Sequence, residues 1–235
     1  MKRLGLLLIS FLLLAGCQIS GGNNSGSTHS NTIIDWVDFL KWDDQEYSGI
    51  HSAVITDEQF IGEKVGEVQF NVNENVSNPS YQTRNGDAAY LDKGTDIYEV
   101  KGISGMLAVP SDYSINGYKL YYSQNSFDYQ WHFEDIVMEE VEKIEIYQEQ
   151  NNVIISSISN AEKMNEFLDL LVNSEKNPVY EPKTKNGDPD RYSMVFYTGD
   201  AFAYQQYLSY DGENYYWHPW DTAVVSGDIA EFLGK

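Results

Sequence analysis

Short apolar runs with a period of two, cut by Asn-Gly and Asp-Gly turns, set the strongest limit on what this chain can fold into. Val68, Phe70 and Val72 alternate within residues 65–72, and Ile97 is followed, after Tyr98, by Val100 within 95–103. Asn85-Gly86-Asp87 reads as a turn, and Asn116-Gly117 turns the chain into residues 118–122. Phe127, Tyr129, Trp131 and Phe133 are apolar at every second place; residues 143–148 and 152–158 flank a Gln150-Asn151 turn as a hairpin. Runs at 192–197 and 202–210 follow, and Asp211-Gly212 leads into 215–217. Alternation of this kind is the signature of half-buried strands, and the turn residues between them favour antiparallel pairing. Helical period is rarer. Ile33, Trp36, Val37 and Leu40 have near-helical spacing, and Met164, Phe167, Leu168, Leu170 and Leu171 form one helical face reaching to about Ser174. Ser159-Asn160-Ala161-Glu162 fits a capping box at its start, and residues 227–233 read as a short terminal helix capped by Ser226. The expected fold class is α+β, with mainly antiparallel sheet units and few short helices, ordered ββαβββα in the second half.

The N-terminus has a different character. Lys2 and Arg3 precede an apolar run from Leu4 to Ala15, which ends at Leu14-Ala15-Gly16-Cys17. About a dozen apolar residues fall short of the roughly 20 that cross a bilayer as a helix, while a charged start and small residues before the break mark an export signal. The tetrad looks like the lipobox of bacterial lipoproteins. That resemblance implies a diacylglycerol on the Cys17 thiol, and cleavage before it. Cys17 is the single cysteine of the 235 residues, so lipidation consumes the one thiol and leaves neither a disulfide framework nor a catalytic cysteine. Residues 18–32 (QISGGNNSGSTHSNT) are poor in apolar side chains and rich in Gly, Ser and Asn, which predicts a flexible tether with a reach of roughly 20 Å, His29 being a solvated member of it. The expected organisation is a cleaved signal at 1–16, a lipidated tether at 17–32, a β-rich module at 33–125 and an α+β module at 126–235. The last boundary rests on the polar run Ser123-Gln124-Asn125-Ser126.

Residues 36–122 also carry a pattern seen elsewhere. The chain reads Trp42 to Tyr47, then Ile61-Gly62-Glu63-Lys64-Val65-Gly66-Glu67-Val68, then Asn85-Gly86-Asp87-Ala88-Ala89, and finally Gly94-Thr95-Asp96-Ile97-Tyr98-Glu99-Val100-Lys101-Gly102. This resembles a module recurring in an uncharacterised family of envelope lipoproteins of Bacillus-type, Gram-positive bacteria. The usual form has Asn-Gly where this chain has Asp43-Asp44, so the first turn departs from the pattern. The resemblance implies location and a recurring fold, and carries over no catalytic residue. A second echo is internal: Asn78-Pro79-Ser80-Tyr81 leads to Asn85-Gly86-Asp87, and Asn177-Pro178-Val179-Tyr180 leads to Asn186-Gly187-Asp188. Both are punctuated by turn formers, so convergence on loop chemistry is the simpler reading.

The formal net charge is −21, and removal of Lys2 and Arg3 makes it more negative still. Such a surface disfavours nucleic acid and electrostatic adhesion to anionic lipid headgroups, and any charged partner is expected to be cationic. Nucleophilic hydrolysis finds no motif, since Gly102-Ile103-Ser104-Gly105 is one residue short of G-x-S-x-G. His51, His132 and His218 stand far apart in sequence and are read as surface or half-buried side chains rather than zinc ligands. Asn186-Gly187-Asp188-Pro189-Asp190 and the series Asn71, Asn73, Glu74, Asn75 offer oxygen donors without the spacing of an EF-hand loop. No metal and no cofactor is expected.

The 18 tyrosines and 5 tryptophans are concentrated in 204–220. Phe202, Tyr204, Leu208 and Tyr210 alternate as one strand face and are assigned to the core. Tyr207, Tyr215, Trp217 and Trp220 are the candidate binding surface, because Tyr and Trp combine large contact area with a polar tip. The function expected is that of a non-catalytic cell-envelope lipoprotein, lipid-anchored on the outer face of the cell membrane. It would bind an envelope protein or wall component through its second module. An envelope hydrolase using acidic residues and a small-ligand-binding lipoprotein are the alternatives. The hydrolase requires two or three carboxylates converging in an aromatic-lined cleft.

Overall fold

The computed structural model describes residues 34–185 and 187–234; the leader, Cys17, the tether with His29, Ile33 and Asn186 lie outside the described residues. The first half of the chain forms β1 (Phe39–Trp42), β2 (Gln45–Gly49), β3 (Ala53–Ile55), β4 (Ile61–Glu67), β5 (Phe70–Asn71), the single helical turn α1 (Val72–Asn75), β6 (Asp87–Ala88), β7 (Asp96–Val100), β8 (Met106–Pro110) and β9 (Tyr118–Tyr122). The second half forms β10 (Lys143–Gln148), β11 (Val153–Ile158), the helix α2 (Ala161–Val172), β12 (Glu175–Lys176), β13 (Asp190–Tyr197), β14 (Phe202–Tyr210), β15 (Tyr215–Trp217), β16 (Ala223–Val225) and a terminal 3-10 helix, Gly227–Phe232. The protein is α+β, built from two mainly antiparallel sheets with few short helices.

The first sheet has the order β4-β7-β8-β9-β2-β1-β6-β5 and is antiparallel except where β5 meets β6. The second has the order β11-β10-β13-β14-β15-β16-β12. Residues 33–235 cluster as one compact unit. The strand β3 comes from the first half but pairs with the second sheet, setting Ile55, Val54 and Ala53 opposite Phe202, Ala203 and Tyr204 of β14. One edge of β14 is therefore shared: β3 takes residues 202–204 and β15 takes 208–210.

Local sequence explains the elements that were legible. Asn160 caps α2 by accepting the Lys163 N–H at 3.0 Å, one residue later than the Ser159 start implied by the capping-box reading. Met164, Phe167, Leu168 and Leu171 then fall on one buried face, as the i, i+3, i+4, i+7 spacing requires. That face packs on Ile144, Ile146, Met194, Phe196 and Trp217 of the second sheet, each such side chain contributing about 1.5–3 kcal/mol by leaving water. Two expectations fail. Residues 34–38 are not helical, and Leu40 belongs to β1; the apparent helical face was an entry segment followed by a strand. The alternation from Phe127 to Phe133 is not a strand either. Phe127 and Tyr129 lay their rings edge-on against Phe202, at 6.2 and 5.9 Å, so side-chain packing rather than a ladder produces the period.

β1 and β2 are joined by Asp43 and Asp44, both left-handed, with φ 47° and 58°. A two-residue turn of this hand matches strand twist and favours Asn-Gly. Asp44 is held by Asn85, whose Oδ1 accepts its N–H at 2.8 Å and whose Nδ2 donates to its Oδ1 at 2.9 Å. A left-handed residue bearing a side chain costs roughly 1–2 kcal/mol. Asp43→Asn combined with Asp44→Gly is expected to raise the unfolding free energy by about 1 kcal/mol in a urea titration; a loss would show that the Asp44–Asn85 pair outweighs the strain.

The two Asn-Pro-x-Tyr loops close by one device. In the first, the Tyr81 N–H donates to Asn78 O at 3.0 Å, and the Tyr81 hydroxyl and Arg84 N–H both donate to Asp87 Oδ2 at 2.8 Å. In the second, the Tyr180 N–H donates to Asn177 O at 3.0 Å. The Tyr180 hydroxyl and Lys183 N–H both donate to Asp211 Oδ2, at 2.5 and 2.9 Å. The echo in sequence is thus an echo in structure, but the second carboxylate is Asp211 rather than Asp188.

Candidate functional site

One face of the second sheet changes character along its length, and the site follows from that change. Cross-strand pairing places Glu145 beside Val195 and Val195 beside Gln205, then Tyr147 beside Ser193 and Ser193 beside Tyr207. At one end, Val54, Ile115, Tyr147, Val195, Tyr197 and Ala203 form a small apolar core. Glu145 Oε2 ties down the tyrosines of this core, accepting the Tyr147 and Tyr197 hydroxyls at 2.7 and 2.8 Å. Burial raises the Glu145 carboxyl, but hydrogen bonds from Tyr147, Lys143 and Tyr197 outweigh it and hold the group below its usual range. At the other end the face turns polar, with Ser193 buried and Gln205 and Tyr207 half-buried. Ser193, Gln205 and Tyr207 form the floor of a cleft of about 800 Å³, a size suited to a ligand of modest dimensions.

The walls come from both halves of the chain. One wall is the loop between β8 and β9, pinned where Asn116 Nδ2 donates to Ile55 O at 2.8 Å and Asn152 Nδ2 donates to Tyr113 O at 2.9 Å. The facing wall includes Tyr90, His51 and Lys119. His51 and Lys119 meet at Asp38. Its carboxylate pairs with the Lys119 ammonium, accepts the Tyr121 hydroxyl at 3.0 Å and lies 3.4 Å from His51 Nε2. Burial alone raises the Asp38 carboxyl, yet the hydrogen bonds from His51, Lys119 and Tyr121 and the Lys119 charge bring it down to about 2.

Close approach at Asp38 explains Gly49. A Cβ there would lie 2.1 Å from Asp38 Oδ2. Gly49→Ala is therefore expected to displace the carboxylate and cost about 2 kcal/mol, read as a lowered thermal midpoint; an unchanged midpoint would show that the segment moves freely.

The four aromatic residues expected to form a surface are not brought together. Tyr215 and Trp217 are 6% and 1% exposed. Every residue of β15 is buried because α2 and Phe133 cover one side of the strand and Tyr180 the other, and the Trp217 Nε1–H is spent on Ser174 Oγ at 3.0 Å. Tyr207 is half-buried in the cleft floor and donates its hydroxyl to His51 O at 3.2 Å. Trp220 is 71% exposed with its ring tilted against His132, centres 4.3 Å apart, and the exposed Trp131 is tilted against His132 as well, centres 3.8 Å apart. Trp131 and Trp220, each against the part-buried His132, thus form an exposed aromatic patch that shares only Trp220 with the expected set, and Tyr90 and Tyr113 are exposed as well.

The remaining candidates have local duties. His218 Nδ1 lies 3.0 Å from Thr222 Oγ1, and His132 Nδ1 lies 3.3 Å from Asp135 Oδ2. With His51 on Asp38, the three histidines have three unrelated neighbourhoods. Asn71 Oδ1 accepts the Glu74 N–H at 3.1 Å as the cap of α1, so the asparagine series serves the turn. Among the described residues no group of three His, Cys, Asp or Glu side chains gathers to hold a metal ion, and no helix is long and apolar enough to cross a membrane. Ser193, Gln205, Asp38 and Lys119 were missed by sequence reading. Ser193 and Gln205 did carry a faint signal, as polar residues next to Val195 and Ala203 on the same face. Compared with protein-family models, with curated proteins and with solved structures, the chain matches none.

Proposed function

We propose that this chain is a lipid-anchored, non-catalytic binding module on the outer face of a cell membrane, and that its ligand enters the cleft above Ser193, Gln205 and Tyr207. The single observation that carries the binding part is the cleft itself: a sheet face that turns polar beyond its apolar core, walled by segments from both halves of the chain. Two ion pairs brace its surroundings, Lys119 with Asp38 and Arg191 with Glu149, while Asp92 and Asp112 also line it. The anchoring part is supported by Leu14-Ala15-Gly16-Cys17 and the Gly- and Ser-rich stretch behind it, since two acyl chains on one residue bind a bilayer at about 0.8 kcal/mol per buried methylene. The resemblance of residues 36–122 to modules of envelope lipoproteins agrees with that location.

The test uses a photo-reactive amino acid in place of Tyr113, an exposed residue on the cleft wall. The same replacement at Val179, exposed and outside the cleft, is the control. Irradiation of intact cells should give an adduct from position 113 and none from 179. Adducts from 179 alone, or turnover of a wall glycan by the purified protein, would overturn the reading.

A further inference from the structure

We infer that Trp131 and Trp220 form a docking surface for a basic peptide segment of a partner protein, independent of the cleft. Both indoles are exposed, and among the described residues each has a single ring neighbour, His132. Two indoles gathered on one imidazole and left in water make an apolar patch of the kind that partners cover, and tryptophan is enriched where they do so.

The backbone beneath the patch is held before any partner arrives. Gln206 Nε2 of β14 donates to Trp131 O at 3.2 Å, and the His132 N–H donates to Asp135 Oδ2 at 2.9 Å. Two residues beyond Trp220, Thr222 O accepts the Asn177 N–H at 2.8 Å, and Thr222 Oγ1 lies 3.0 Å from His218 Nδ1. A partner meeting indoles on a held backbone loses less free energy in ordering them.

Charge selects the partner. Residues 123–142, which carry Trp131, hold six carboxylates and no Lys or Arg. Residues 214–230, which carry Trp220, hold two carboxylates and again no Lys or Arg. Among the described residues none of these carboxylates is paired with a Lys or Arg. Glu134 and Asp221, close to the two indoles in sequence, are exposed. The strand β12, paired with β16, adds Glu175 and Lys176, whose charges cancel. An acidic segment is repelled by such a surface, and a neutral ligand draws nothing from its charge. A Lys- or Arg-bearing segment draws on both features: its stems cover the apolar rings, its heads reach the carboxylates, and an indole face is the strongest aromatic seat for a cation.

The test titrates the full chain, in a non-ionic detergent, with fluorescently labelled short peptides alternating Arg with Gly, Glu with Gly or Ser with Gly, and with a soluble neutral oligosaccharide. The indole N–H resonances report where a probe sits. The Arg peptide should bind and shift the signals of Trp131 and Trp220, while the other probes leave them unmoved. Trp220→Ala and Trp220→Leu should each weaken it about fivefold with an unchanged thermal midpoint, as expected for an exposed side chain, and Val179→Ala should leave affinity intact. Glu134→Gln combined with Asp221→Asn should also weaken it. Full affinity in Trp220→Leu would overturn the contact between cation and ring, since that variant keeps an apolar side chain. The sugar or the Ser peptide bound at the indoles in place of the Arg peptide would overturn the cationic class. An Arg peptide that fails to bind, or that binds without shifting either indole, overturns the inference outright; the cleft is judged separately, by the crosslink from position 113.

Discussion

Asp211→Ala is expected to lower the unfolding free energy by about 4 kcal/mol, the largest effect of any single substitution considered for this fold. Asp211 is buried, and its two carboxylate oxygens accept four hydrogen bonds. Oδ2 takes the Tyr180 hydroxyl and the Lys183 N–H, and Oδ1 takes the N–H groups of Glu213 and Asn214 at 3.0 and 2.9 Å. Burial by itself raises this carboxyl, but the hydrogen bonds from Tyr180, Asn214, Lys183 and Glu213 pull it far below the usual carboxylate range. Removing the acceptor strands three backbone donors and a phenol at once, and each bond to a charged group carries roughly 1.5–3 kcal/mol. Tyr180→Phe, which deletes one of the four, should cost about 1.5 kcal/mol. In the double variant the two losses should add to less than their sum, because the phenol has no partner once Asp211 is gone. Urea titrations of the four proteins measure this directly. A loss under 1 kcal/mol for Asp211→Ala would mean that water replaces the carboxylate freely, and that the 177–185 loop is not pinned by it.

Asp38→Asn should cost about 2 kcal/mol at pH 7 and almost nothing at pH 2. The sign follows from linkage. The folded Asp38 carboxyl titrates at about 2, against an ordinary value of 3.8, so between those values the unfolded chain holds a proton that the folded one has released. Stability from this group is fully present above about pH 4 and is lost as pH falls through 2. A shift of this size corresponds to roughly 2 kcal/mol. The wild-type and variant stability curves should therefore converge in acid, while protonation of Asp211 drives both down. A gap that stays constant from pH 7 to pH 2 would show that packing, and not the ion pair with Lys119, accounts for the loss.

Much of the second half was legible because its signals are local. The strands β10, β11, β13, β14 and β15 show their turns and period within ten residues, and α2 shows its apolar face within a dozen. The strand β3 could not be read: Ala53-Val54-Ile55 has no alternation, and its partner β14 lies some 150 residues on. β8 was missed for a related reason. Met106 to Val109 are buried throughout, since Met106 and Ala108 face one apolar cluster and Leu107 and Val109 another, so nothing alternates. The near-helical spacing of Ile33 to Leu40 misled because four apolar residues fit a helix by chance when a strand begins among them.

The site was less legible than the fold. A Trp or Tyr on a strand reads the same whether it faces solvent or core, and which it does depends on what α2 and the Asn177–Tyr180 loop cover. That is how Tyr215 and Trp217 were placed on a surface they do not reach, while Trp131 was assigned to an alternating strand. Asp38 gathers partners from β9 and from the segment after β2, and the Ser193–Gln205 pair exists only because β13 and β14 are in register. In the Asn-Pro-x-Tyr loops the motif was visible and its meaning was not. The carboxylate that closes the second loop stands 31 residues from Tyr180, beyond the reach of any local pattern.

The proposed location of the protein outside the cell rests on Cys17, and the mass of the native N-terminus tests it most directly. Material purified from its own membrane should begin at Cys17 and carry the added mass of a diacylglycerol, removed together with the first residue by limited proteolysis of the tether. An unacylated polypeptide still beginning at Met1 would contradict the account, and with it the assignment of the cleft to an extracytoplasmic ligand.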